Sequence, residues 1–262
     1  MTSDPIVTLE RWRIAQRNEK EFWDGMKGRD AILKELAHRN FQREFGIRKE
    51  LLDSVLSQRV LEIGPGPMPL TCEFENCEKI VVDSLADYFC TNFETDRGIE
   101  WMKGLAETLP FINDSFEFVV ASNVLDHVRV PQEVLSEIHR VLKVNGSVYL
   151  VLNCYGPLTR IYKMMLEKIG QSDPYHPHVF TIKRAKKLLE NTGLELLSNA
   201  KEIENRKEAI NQLLPNSEDK KPKGIKFRIS RIIKSILSLM EGNDPGKRSS
   251  AVCMIFVLKK FA

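Results

Sequence analysis

The sequence lacks the features that mark several large protein classes. Its five cysteines (Cys72, Cys77, Cys90, Cys154 and Cys253) are an odd number without dense pairing, so no disulfide framework is expected. Reduced thiols in a cytoplasmic compartment are the reading. No stretch approaches the ~18 apolar residues of a membrane span, and the opening MTSDPIVTLERWR has no apolar signal-peptide core. Charge of one sign is not in excess: 39 Lys and Arg stand against 36 Asp and Glu, a formal net charge of +3. A balance that small does not by itself argue for nucleic acid. Internal repeats and low-complexity tracts are missing too. What remains is 42% hydrophobic and 29% charged over 262 residues, which excludes wholesale disorder. The length suits one large α/β domain or a compact domain with an appendage.

Residues 6–27 read as a charged helix carrying Trp12, Phe22 and Trp23, and a helical pattern continues over 30–57. The texture then changes. Arg59–Ile63 reads as a strand running into the turn-rich Gly64-Pro65-Gly66-Pro67-Met68-Pro69, and Lys79–Asp83 is a second strand ending in an acid. Ser115–Ala121 is the next clear strand. Pro131–Leu142 is a helix with Val134, Leu135, Ile138 and Leu142 on one face, and Asn145-Gly146 turns into the apolar strand Ser147–Leu152. A helix over 182–192 ends at Gly193, and Leu194–Leu197 and Ala251–Leu258 read as closing strands. Strands alternating with helices predict a parallel sheet covered on both faces. Residues 198–250 look dispensable to that sheet. Within them, 225–240 carries an apolar stripe opposite basic residues, a candidate for packing on the domain or for contact with a membrane or anionic surface through 220–240.

VLEIGPGPMPL places glycines directly after a buried strand, where missing Cβ atoms let a ligand approach the backbone. Asp83 ends the following strand, seventeen positions after Gly66, where a carboxylate can accept from both hydroxyls of a ribose. Pro69 stands where a nicotinamide-binding loop wants a third glycine. Glu62 is an acid unsuited to a pyrophosphate but suited to a cationic ligand. That combination favours a nucleoside bearing an amino acid and a sulfonium, S-adenosylmethionine.

VLEIGPGP (60–67), IVVDSLADYF (80–89), GLAETLPFINDSFEFVVASNVLDHV (104–128) and EIHRVLKVNGSVYLVL (137–152) together resemble the class I S-adenosylmethionine-dependent methyltransferases of the small-molecule type 11 kind. The resemblance implies an α/β, Rossmann-like, seven-stranded mostly parallel sheet with helices on both faces and a reversed last strand. It divides the chain into an N-terminal helical cap or lid (1–57) and a methyltransferase domain (58–262) with a helical insert at about 204–249. It also implies cofactor contacts from Glu62, Gly64, Pro65 and Gly66 to the methionine part, and from Asp83 and Ser84 to the ribose. Leu105, Ala106 and Glu107 approach the adenine, and Asn123 lies near the fourth strand. Leu105 replaces an Asp found in many relatives, which leaves the adenine amino group to Glu107 or a backbone carbonyl.

Transfer to a hydroxyl needs a proton removed, work suited to histidine. His127 follows the fourth strand, while His176 and His178 in DPYHPHVF follow the fifth; these three are the candidate catalytic residues, with exposed or merely packed imidazoles as the alternative. No metal is expected, because His-x-His lacks a nearby Cys or Glu to complete a set. Cys154 and Tyr155 point toward the same region. The expected reaction is methyl transfer to a small-molecule acceptor, most simply a hydroxyl of a sugar, glycan precursor or secondary metabolite. A nitrogen or carbon acceptor, an RNA substrate, and a non-catalytic cofactor-binding scaffold are the alternatives. Nucleic acid is not expected as a partner, and the oligomeric state stays open.

Overall fold

The computed structural model describes residues 7–45, 58–170, 173–190, 192–197, 201–203 and 251–262, with Ile236 and Met240 in addition. Two helices come first. In α1 (Leu9–Asp24) the Thr8 hydroxyl accepts from the Arg11 amide at 3.2 Å, satisfying one of the free first-turn donors. α2 (Asp30–Phe45) buries Leu33, Leu36, Ala37 and Phe41, a 3–4-residue spacing that gives one apolar stripe.

The sheet follows: β1 (Arg59–Ile63), β2 (Glu78–Asp83), β3 (Glu100–Lys103), β4 (Phe116–Ser122), β5 (Leu142–Tyr155), β6 (Leu194–Leu196), β7 (Lys201–Ile203) and β8 (Ala251–Lys260). Their order is β3-β2-β1-β4-β5-β8-β6, with β7 also on β8. β1 to β5 pair in parallel, whereas β8 runs antiparallel to β5. β6 faces Leu258–Lys260 and β7 faces Cys253–Ile255, so the two are successive pieces of one edge strand. The sheet thus has seven positions and one reversed strand, the last, as the resemblance implies. β7 lies inside the stretch read as dispensable to the sheet; its three residues were too short to register as a strand. β3 was also not read from the sequence, because its four residues are all at least partly exposed and end in Glu100 and Lys103.

Period-2 alternation sorts the core into two layers. Leu61, Val119, Val148, Leu150 and Phe256 face one side, covered by α4 (Pro131–Val141) and α6 (Ile182–Leu189). Val60, Phe118, Val120, Tyr149 and Val257 face the other, against Phe41 of α2 and a 3₁₀ turn at Leu70–Glu73. A further layer joins Leu33 and Leu36 of α2 to Phe89 and Phe93 at α3 (Ala86–Asn92). Asn145 does adopt a left-handed conformation, φ +66°, but within a bulge of β5 rather than ahead of the strand. α5 (Pro157–Lys168) follows β5. No helix among the described residues is long and apolar enough to cross a membrane. The helical continuation expected at 46–57 and the amphipathic helix expected at 225–240 fall outside the described residues, Ile236 and Met240 apart.

Candidate active site

The site forms where the parallel strands end. Gly64 (φ +59°) and Gly66 (φ +69°) carry the chain out of β1 in left-handed conformations. The Gly64 amide donates to the Val82 carbonyl at 2.8 Å, tying the loop to β2. A Cβ on Gly66 would sit 2.9 Å from Cζ2 of Trp23, so this glycine is what allows α1 to lie over the loop. The Gly66 amide donates to Asp83 Oδ2 at 3.2 Å and the Leu85 amide to Oδ1 at 2.8 Å. Burial pushes the Asp83 carboxyl up to about 6, against the pull of these two amides and with a small push from Glu19. A carboxylate has about four acceptor positions, so Asp83 keeps capacity for a ligand.

Around this centre lies a cavity of about 680 Å³. Its cofactor-side wall includes Gly64, Pro65, Gly66, Asp83, Ser84, Leu105, Ala106, Glu107 and Asn123, nine of the ten cofactor residues expected from the resemblance. Glu62 is the exception. Its carboxylate is buried and accepts from the amides of Leu70 (3.0 Å) and Thr71 (2.8 Å) and the Thr71 hydroxyl (2.8 Å), holding the 3₁₀ turn instead of facing the cavity. Glu107 is partly committed as well: Oε1 accepts from the Arg129 amide at 2.7 Å. The Ser84 hydroxyl donates to Gln16 Oε1 at 2.7 Å, joining the end of β2 to α1. Asn123 is left-handed, φ +61°, and its Oδ1 accepts from Asn153 Nδ2 across the β4 and β5 ends.

The opposite end is ionisable. His127 and His176 face each other with ring centroids 4.6 Å apart. His127 Nδ1 lies 3.8 Å from Glu19 Oε2, and Nε2 lies 4.0 Å from Asp126 Oδ1. His176 Nδ1 lies 3.0 Å from Asp173 Oδ1. Burial lowers the His176 pKa, yet the Asp173 hydrogen bond and the charges of Asp126 and Asp173 outweigh it and leave the group raised. Burial likewise works against the Asp173 anion, but His176 and Lys163 hold this carboxyl well below its usual range. Lys163 Nζ is 3.0 Å from Asp173 Oδ2 and 4.3 Å from the centre of the Tyr155 ring.

His178 is not brought to the cavity. Its ring is buried, with Nε2 2.9 Å from the Val128 carbonyl and its own amide donating to Asp126 O at 3.3 Å, so it braces the loop that carries His127. Cys154 is buried. Burial pushes the Cys72 thiol up to about 12, which leaves no thiolate for nucleophilic work.

The roof is α1, with Trp12, Gln16, Glu19 and Trp23 all lining the cavity. Arg11 anchors it: Nε donates to Glu167 at 3.0 Å and Nη2 to the Asp173 carbonyl at 2.6 Å. The aromatics stand out in the sequence; Gln16 and Glu19 do not. Their 12-16-19-23 spacing, one face of a helix, was the available signal. Asp126 and Asp173 had no such signal.

Residues 61–150 match the type 11 methyltransferase-domain family. The chain is 26% identical over 141 residues to an uncharacterised methyltransferase, YcgJ, of Bacillus subtilis, covering 51% of this chain and 55% of that protein. The crystal structure of YcgJ aligns at a TM-score of 0.52 and 17% identity, over 83% of this chain and 97% of that one. A sterol 24-C-methyltransferase of Candida albicans is 26% identical over 153 residues, 53% of this chain and 40% of that protein. Haemonchus contortus phosphoethanolamine N-methyltransferase 2, solved with S-adenosyl-L-methionine, shares the fold at a TM-score of 0.55 and 16% identity, over 83% of this chain and 53% of that one. The chain spans about half the length of the curated relatives it matches.

Proposed function

We propose that this chain, which carries a class I S-adenosylmethionine-dependent methyltransferase domain of the type 11 family, methylates a small-molecule acceptor at a hydroxyl oxygen, of a sugar, glycan precursor or secondary metabolite. The observation that carries the reading is the buried Asp83 carboxylate, bonded to the Gly66 amide and open to the cavity at the ends of β1 and β2. The residues present fit the cofactor. Asp83 has acceptor positions left for a ribose diol, and the Cβ-free backbone at Gly64 and Gly66 gives a ligand close access to the loop. Leu105 and Ala106 supply apolar surface for a purine. When bound, S-adenosylmethionine supplies an electrophilic methyl group on a cationic sulfur.

The chain's own residues do the rest. α1 closes the cavity and excludes water, with Trp23 against Gly66 and Gln16 on Ser84. Trp12, Phe22 and Tyr175 form the apolar part of the acceptor end. There the proton the acceptor hydroxyl gives up passes to one imidazole of the facing His127–His176 pair, and Asp173 engages His176 Nδ1 so that Nε2 is the nitrogen left for the acceptor. Holding acceptor and donor in line is worth as much as about 7–11 kcal/mol of barrier; the histidines add about 10²–10⁴-fold.

The test is mass spectrometry of an acceptor library incubated with cofactor, scored for a gain of one methylene. His127→Ala and His176→Ala are expected to lose about 10²–10⁴-fold in kcat while binding S-adenosylmethionine normally. Unchanged turnover in both favours a nitrogen or carbon acceptor, which needs little or no base. That second reading is supported by the aromatic wall, suited to an apolar or cationic body. Binding without methylation of any acceptor would leave a cofactor-binding scaffold.

A further inference from the structure

We propose that Asp126, His127 and His176 form a binding site for one divalent transition-metal cation at the acceptor end of the cavity. The three come from two loops: Asp126 and His127 from the one between β4 and α4, His176 from the one before α6. Each offers one ligand atom, and those atoms all lie within 4.8 Å of one another. Bond lengths of about 2.0–2.2 Å to nitrogen and oxygen put neighbouring ligands roughly 3 Å apart. The present 4.0 Å between His127 Nε2 and Asp126 Oδ1 needs a side-chain adjustment of about 1 Å to reach that.

A second observation points to a ligand independently. Asp126 is 2% exposed, and its Oδ1 is buried with no hydrogen-bond partner. A carboxylate oxygen in that condition is costly unless something neutralises it. A cation shared with the two imidazoles does so.

The surroundings match what such sites need. Ligating histidines as a rule give their second ring nitrogen to a carboxylate, which fixes tautomer and orientation. His176 has that arrangement through Nδ1 and Asp173 Oδ1, itself fixed by Lys163. His127 has a longer version of it through Nδ1 and Glu19, 3.8 Å away. Three carboxylates, Asp126, Asp173 and Glu19, face the imidazoles against one ammonium, Lys163, while Arg11 is paired with Glu167. The excess negative charge suits a divalent ion. Two imidazoles favour zinc, cobalt(II) or iron(II) over magnesium, which prefers oxygen ligands. Three protein ligands leave positions open toward the cavity, where a hydroxylated acceptor can present its oxygens. That role rests on the proposed methyltransferase reading; the site itself does not. In a metal-loaded chain the two imidazoles act as ligands and no longer take the proton; the hydroxyl held by the ion, made more acidic by it, gives its proton to solvent, and the kcat loss of the alanine variants becomes loss of that ion.

The experiment is cobalt(II) titration of chelator-stripped full-length protein, with no cofactor or acceptor present, followed by visible absorption and calorimetry. One ion is expected to bind per chain, giving visible bands without the intense thiolate charge-transfer absorption a cysteine site would show. His176→Ala, His127→Ala and Asp126→Asn are expected to weaken binding by about 100-fold or more, and Asp173→Asn by about 10- to 100-fold. Circular dichroism and retained S-adenosylmethionine binding in each variant establish that it is folded. Asp83→Asn is expected to bind cofactor about 10- to 100-fold more weakly and keep the cobalt bands, which separates failure of the metal site from failure of the methyltransferase reading. Equal cobalt affinity in wild type and the two histidine variants, or no binding by folded wild-type protein, overturns the site.

Discussion

Asp83 meets two opposed demands. Burial pushes its carboxyl up to about 6 from the ordinary 3.8, while a ribose diol, which donates hydrogen bonds, needs the charged form. The folded value lies above the unfolded one. This group's contribution to stability is therefore complete below about 4 and is lost as the pH rises through about 6. Stability from this residue and ligand binding thus change in opposite directions with pH. Calorimetric affinity for S-adenosylmethionine is expected to fall between about pH 7 and pH 5 as Asp83 takes up its proton, with Glu19 adding to the upward shift among the described residues. Asp83→Asn is expected to bind about 10- to 100-fold more weakly at neutral pH and to lose that dependence; unchanged affinity in this variant removes the basis of the cofactor site. Gly66 makes a different point. Alanine there adds a Cβ 2.9 Å from Trp23 at φ +69°. Strain of about 1–2 kcal/mol follows, hence a Tm lower by roughly 2–8 °C and a displaced α1, seen as altered Trp fluorescence. An unchanged Tm would mean that Trp23 does not rest on this loop.

At the scale of elements, α1 is a helix held by its ends. Arg11 ties the first turns to α5 and to the 173–176 loop, and Trp23 sits among Phe22, Phe89 and Phe93 at the last. Arg11→Ala is expected to speed hydrogen exchange of the α1 amides and to raise the cofactor dissociation rate, with β1 and β4 amides unaffected. Exchange that rises equally in the sheet indicates loss of global stability instead. What the sequence disclosed follows the same division. β1, its glycine loop and Asp83 were legible because strand, turn and acid are neighbours in the chain with a period-2 pattern. β3 and β7, of four and three residues, carried too little pattern to register. Glu62 was legible as a buried acid but not in its task, since the amides it accepts from belong to a turn eight and nine residues on. His127 and His176 are legible as candidates, but the approach of Asp126 to both is not. It is set by how two loops converge, whereas proximity in sequence groups His176 with His178, whose ring turns to the Val128 carbonyl.

For the molecule as a whole, the family match and the cavity cover different ground. The match spans 61–150, which holds the glycine loop, Asp83 and the wall made by Leu105, Ala106 and Glu107. The acceptor end draws on Trp12, Glu19 and Phe22 before it and on Asn153, Tyr155, Tyr175 and His176 after it. The family match thus covers the glycine-loop side of the cavity and leaves most of the opposite end outside it, so the match says nothing of an acceptor.

Because the walls come from parts of the chain as far apart as Trp12 and His176, a bound cofactor ties the N-terminal helix, the sheet and the late loops into one cooperative unit. A ligand at 100 times its Kd stabilises by about 2.7 kcal/mol. At roughly 2–4 °C per kcal/mol for a domain near this size, Tm is expected to rise by about 5–10 °C in saturating S-adenosylmethionine or S-adenosylhomocysteine. NAD at the same concentration is expected to leave Tm where it was, since the loop after β1 has Pro69 where a dinucleotide-binding loop has its third glycine. Asp83→Asn is expected to lose most of the shift, because the ribose contact is what engages the loop and β2 together. A shift with NAD and none with either sulfur nucleoside would transfer the pocket to a dinucleotide and end the methyltransferase reading, whatever the fold.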